Sequence, residues 1–139
     1  MADVSNSINA IAGICTAVGV GIAAFQIRRG RQQQTTAFEQ QLTARYQTIQ
    51  ARIPLRLLID GGSYGSEDDA IRRAMYDYFE LCEEQAYYHA RGRVSDDTWT
   101  EEWLPGIEAN VARAAFRQAW LELSAASPEQ FDLIRVHLK

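Results

Sequence analysis

Lysine is nearly absent from this chain of 139 residues: Lys139 is the single lysine among 14 basic side chains, against 18 acidic ones, for a net charge of −4. That mild acidity argues against general nucleic-acid binding, where a clustered basic face is expected for the phosphates. Cysteine is scarce too. Cys15 lies in an apolar stretch and Cys82 among acidic neighbours, so neither a disulfide framework nor a paired metal site is expected. Prolines are few, and none precedes Pro54. Period-2 runs are missing, and an all-α fold follows.

The most telling absence is of charge. From Ile8 to Ile27, 20 residues carry no charged side chain, and only Asn9, Thr16 and Gln26 are polar. A helix of that length covers about 30 Å, the thickness of a bilayer's hydrocarbon core. Arg28, Arg29 and Arg31 close the run. A signal peptide would want basic residues before it, but "MADVSNS" supplies only Asp3. A buried helix of a soluble core is the other competitor, since glycine and alanine keep the hydropathy moderate. The abrupt arginine border favours a transmembrane helix with Arg28, Arg29 and Arg31 as its interface anchor. It places the N-terminus outside and the rest in the cytoplasm. Gly13, Ala17 and Gly21 share one helical face, where small residues let helices pack closely in lipid, so this face is expected to drive homo-oligomerisation.

This divides the chain into 1–31, comprising the tail, membrane helix and arginine cluster, and 32–139, a cytoplasmic bundle of four to five helices. "GRQQQTTA" is either a flexible tether or a helical continuation broken only at Gly30. Phe38, Leu42, Tyr46, Ile49 and Ile53 mark the first head helix. Gly61, Gly62 and Gly65 match no phosphate-binding pattern, and the acidic residues behind them would repel an anion. Ser66 with Asp69 resembles an N-cap for the next helix, about Asp68 to Arg91, whose buried stripe is Ile71, Ala74, Met75, Tyr78, Phe79, Cys82 and Ala86, with Gly92 as the stop. Ser95 is the expected cap of a short helix carrying Trp99 and Trp103. Residues 107–124 are expected to form one central helix, and Ser127, Pro128 and Gln130 to start the last.

The segment "YFELCEEQAYYHARGRVSDDTWTEEW" carries a Phe79–Glu80 pair, a basic-Gly turn at Arg91 to Arg93, a hydrophobic-Ser/Asp step at Val94 to Asp97, and Trp99. In these features it resembles a small bacterial family of uncharacterised single-pass membrane proteins. The likeness extends loosely over about four-fifths of the chain. It implies an anchor plus a cytoplasmic helical head at the bacterial inner membrane, and brings no catalytic residues.

Residues suited to chemistry are sparse. Asp77, Glu80, Glu83, Glu84 and His89 lie along one helix, but Ala86 and Ile134, three before the histidines, are not the glutamates a di-metal bundle requires. Zinc spacings and a nucleophile elbow are absent from the sequence. The acidic set reads as a solvated face, or one neutralised by Arg72, Arg73, Arg113 or Arg117. No enzyme activity, metal or cofactor is expected. Tyr88 with Arg91 and Arg93 is the candidate partner-binding patch, because tyrosine and arginine anchor interfaces. The expected function is a membrane-anchored interaction scaffold that self-associates and recruits a protein partner at the cytoplasmic face. The alternative is an oligomeric pore-forming effector of the kind that depolarises cells in phage defence, with a lumen lined by Asn9, Thr16 and Gln26.

Overall fold

The structure, a computed structural model, describes the backbone of residues 2–59 and 61–138 and the side chains of 22–59 and 61–138. It is all-helical, with no strand among the described residues. Two compact units divide it, Met1–Ala37 and Phe38–Lys139. The dividing point falls inside the first helix, α1, which runs from Ala2 to Gln50.

In the first unit α1 passes through Gly30 unbroken, so the polar stretch after the arginines is helical continuation. A glycine costs a helix about 1 kcal/mol, which flanking helix formers such as the glutamines absorb. Among the described residues no helix is long and apolar enough to cross a membrane. Most of the uncharged run, residues 8–21, lies outside the described side chains, as do Gly13, Ala17 and Gly21.

In the second unit, Leu42, Ile49 and Ile53 are buried and Phe38 and Tyr46 are partly buried, which is the face that their spacing predicts. α1 stops shortly before Pro54, as a proline disfavours helical backbone at the residue preceding it. A single turn, α2 (Leu55–Ile59), inserts Leu57 into the core. α3 (Asp69–Ala90) is the central helix, and its predicted stripe is buried throughout, together with Leu81 and Gln85. Its cap is Asp68 rather than Ser66; the Asp68 carboxylate turns back to accept the Gly65 N–H at 3.1 Å. At the other end, Gly92 adopts φ +67, the Gly92 N–H reaches the His89 carbonyl, and the Arg93 N–H reaches that of Tyr88, both at 2.9 Å. These two bonds are the Schellman motif that a left-handed glycine permits.

Ser95 caps the next helix as expected, its Oγ accepting the Thr98 N–H at 3.2 Å. The helix then widens into a π turn, Thr98–Trp103, before α4 (Leu104–Val111). Pro105 accounts for the widening: it has no N–H to give, and its ring would press on the carbonyl four residues back, so Leu104 instead donates to Trp99 five residues back. The single helix expected over 107–124 is divided. Arg113 is extended, with ψ 142, and α5 (Ala114–Ala126) starts anew. α5 packs on α3 and α4, burying Ala115, Phe116, Ala119 and Trp120.

The last helix, α6 (Asp132–Arg135), starts later than Ser127, because Pro128 to Gln130 form a turn that Arg135 Nη2 holds through two carbonyls at 3.2 Å each. Phe131 precedes it in left-handed backbone, φ 64. Such backbone costs a non-glycine residue about 1–2 kcal/mol, offset here by burial of the ring beside Tyr76 and Trp120.

Two carboxylates from other helices satisfy the N-termini of these late elements. Glu39 Oε1 accepts the Ser95 N–H at 2.8 Å and its O–H at 2.9 Å. Glu83 accepts the Leu133 N–H at 3.1 Å and the Ile134 N–H at 2.8 Å. Helix starts carry unpaired N–H groups and partial positive charge, so a carboxylate is the fitting partner. Replacing Glu39 or Glu83 with alanine is expected to destabilise the fold by about 1–2 kcal/mol in urea unfolding. Glu80→Ala, at an exposed side chain with no partner among the described residues, should stay within about 0.5 kcal/mol.

Candidate functional site

The Schellman turn that ends α3 brings Tyr88, Arg91 and Arg93 together with two residues the motif did not include, Phe38 and Tyr87. The Tyr88 ring meets Phe38 edge-on at 4.7 Å, and the Arg93 guanidinium lies over both rings, at 5.4 Å from Phe38 and 5.8 Å from Tyr88. Arg91 reaches the neighbouring ring, its Cζ 4.7 Å from the Tyr87 centroid. Tyr88 and Arg93 thus hold the start of the head portion of α1 against the end of α3. Tyr87, Arg91 and Arg93 are exposed and Tyr88 is half-buried; of the exposed three, Tyr87 with Arg91 is the pair not spent on holding Phe38. Tyr87 is 42% exposed, and the stacked guanidinium keeps its hydrogen-bonding edges available for a partner.

The acidic face is largely engaged within the fold. Asp77 accepts from Arg52 at 2.6 Å and from Arg73 at 3.0 Å, and Glu84 pairs with Arg45. Of the four arginines expected to neutralise this face, Arg73 does so. Arg72 instead faces Asp69 and Glu122, Arg113 donates to Asn110, and Arg117 donates to the Ala112 carbonyl. Arg45 on α1 and Arg52 just past its end stand between the buried positions Leu42, Ile49 and Ile53, which was the available signal for their part. His89 stacks on Trp99 at 5.1 Å with its Nε2 2.9 Å from Asp96 Oδ1, and His137 meets the same indole at 5.5 Å. Among the described residues, no group of three His, Cys, Asp or Glu side chains is placed to hold a metal ion.

The glycine loop is tied down as well. Arg56 donates to the Ser63 carbonyl and Gln118 to that of Tyr64, each at 3.2 Å, while Asp68 occupies the Gly65 N–H.

Two buried polar side chains escaped the periodicity. Gln85 stands at a seam position of α3, three residues after Cys82, and Asn110 three after Ile107 on α4. Asn110 Nδ2 donates to the Tyr78 hydroxyl at 3.0 Å, and Arg113 donates to its Oδ1. Burial pushes the Tyr78 hydroxyl well above its ordinary value, so it remains protonated. Burial also pushes the Cys82 thiol from 9.0 to about 12, and burial with the nearby Glu122 raises Tyr64 from 10.0 to about 12.

Comparison with protein-family models, with curated proteins and with solved structures finds no match to this chain.

Two measurements check the buried acids. Alkylation at mildly alkaline pH, mapped by peptide, should leave Cys82 unlabelled in the native protein and label it fully in denaturant. The sign of the pH dependence follows from the raised values: below pH 9 the thiol is neutral in both states, and above it the unfolded chain ionises first. Stability should therefore fall as pH rises from about 9 to about 12, a decline that circular dichroism would follow.

Proposed function

We propose that this chain is a membrane-anchored helical interaction protein: the apolar N-terminal run holds it in the bilayer, and the head recruits a protein partner and further copies of the chain. The observation that carries this reading is a band of large apolar side chains bordered by cations. Ile22, Phe25 and Ile27 are 54%, 64% and 60% exposed, and exposed Arg28, Arg29 and Arg31 follow directly. A bilayer interface accepts this pattern, with apolar side chains in the acyl region and guanidinium groups at the phosphates. The uncharged stretch from Ile8 onward extends the band toward bilayer thickness. Membership of the single-pass family belongs to the same proposal, as do the outward N-terminus and the cytoplasmic head.

Tyr87 with Arg91 would be the partner's anchor, since an exposed tyrosine backed by a guanidinium offers apolar area and directed hydrogen bonds at small entropic cost. Gly13, Ala17 and Gly21 would set copy number through close helix packing. No catalytic step is assigned.

Membrane fractionation followed by native mass measurement in detergent tests the reading. The protein should resist carbonate extraction, need detergent, and run as a discrete oligomer that Gly13→Ile with Gly21→Ile reduces. Release into the aqueous fraction without detergent would overturn the anchor. A monomer in detergent would overturn the oligomerisation face. Tyr87→Ala with Arg91→Ala should abolish partner co-purification while leaving membrane association intact.

A further inference from the structure

Tyr46 of α1, Tyr78 and Gln85 of α3, Glu102 and Trp103 of the π turn, and Asn110 of α4 line a cleft of about 300 Å³ in the head. Its size falls at the lower end of the range for small-molecule sites. Two buried amides face it in different states. Asn110 has both its donor and its acceptor engaged, by Tyr78 and Arg113. Gln85 is only 5% exposed, and its side-chain amide makes no hydrogen bond among the described residues. Its amide atoms are not sealed off from solvent, so the amide opens onto the cleft and can be reached by a ligand there.

The rest of the lining selects the partner. Tyr46, Tyr78 and Trp103 supply aromatic rings with electron-rich faces, and Glu102 is the one charged residue on the lining. No cationic residue is on the lining, and the Arg113 guanidinium behind it is turned to the Asn110 oxygen. The Tyr78 hydroxyl, held protonated by burial, adds no negative charge. We propose that this cleft binds a small organic ammonium ion carried on an apolar body. An ammonium N–H would donate to the Gln85 amide oxygen, the positive charge would face the aromatic rings and Glu102, and the apolar body would fill the remainder. The need for an N–H donor favours a primary or secondary ammonium over a quaternary one. This site is separate from the Tyr87–Arg91 surface and does not depend on membrane attachment.

The test is isothermal titration of the 139-residue chain with benzylammonium, the neutral benzyl alcohol and the anionic benzoate. Benzylammonium should bind about tenfold more tightly than benzyl alcohol, and benzoate should not bind. Glu102→Gln, at an exposed position, should weaken benzylammonium several-fold without moving Tm. Gln85→Leu should weaken benzylammonium and benzyl alcohol alike, several-fold, while Tm holds or rises. Equal affinity for the alcohol and the ammonium, absence of binding at millimolar concentration, or unchanged affinity in Glu102→Gln would each overturn the proposal. So would a fall in Tm with affinity retained in Gln85→Leu, which would make Gln85 a structural residue. Should that variant fail to fold, the Glu102→Gln titration decides alone.

Discussion

Tyr78 is the point on which the head depends, because four helices meet at its side chain. Its ring lies 5.0 Å from Phe116 of α5 and 6.2 Å from Tyr46 of α1, and its hydroxyl takes the amide of Asn110 on α4. A tyrosine buried this deeply brings large apolar area into the core, but its hydroxyl must find a partner there. Asn110 meets that need, and so α4 is fixed against α3 in one register. Asn110 in turn receives Arg113, the extended residue at the break between α4 and α5. One buried hydroxyl thus determines where α4 ends and how α5 enters the core. An apolar contact alone would tolerate sliding; a hydrogen-bonded chain of three side chains does not.

Polar side chains do comparable work around the periphery. Glu39 and Glu83 sit on long, early helices, and each reaches over to close the N-terminus of a short, late one. α6 spans four residues and would not form in isolation, since nucleating a helix costs more than so few hydrogen bonds return. The Glu83 carboxylate supplies two of its missing acceptor contacts, and the buried Ile134 supplies the apolar ones. Much of the acidity of α3 is in this sense architectural. Apart from Glu80, its carboxylates are engaged by arginines or by backbone N–H groups among the described residues.

The long-period features of this fold were legible in the residues: the apolar stripes of α1 and α3, the Gly92 stop and the Ser95 cap. Each depends on interactions within a few residues, where spacing is a sufficient guide. Two of the misplaced features depend in part on distant groups. The start of α6 rests on Glu83, about fifty positions earlier, as well as on the turn that Arg135 holds, and the break at Arg113 on the network from Tyr78. The π turn could have been anticipated from Pro105, whose missing donor disturbs the turn before it. Of the partner patch, Tyr88, Arg91 and Arg93 were legible as a cluster after the helix end. The use of Tyr88 and Arg93 to hold Phe38 was not, because it joins positions fifty apart in the chain.

The cleft shows why two chemically similar side chains have different consequences. Gln85 and Asn110 are equally buried and both interrupt apolar stripes. Asn110 repays its desolvation through Tyr78 and Arg113, and the fold becomes more specific for it. Gln85 has no such return within the head. The π turn sharpens the contrast. By adding a residue to the turn it lets Trp99 enter the core while Trp103, four positions on, stays half-buried on the cleft wall with Glu102 beside it. In a regular helix positions four apart share one face, so the wider turn is what separates the surroundings of the two indoles. An amide open to the cleft, aromatic walls and a carboxylate at its rim add little to folding one by one. Their convergence on one concave surface is the arrangement on which the proposed ammonium ligand would draw, while other residues of this core supply the stability.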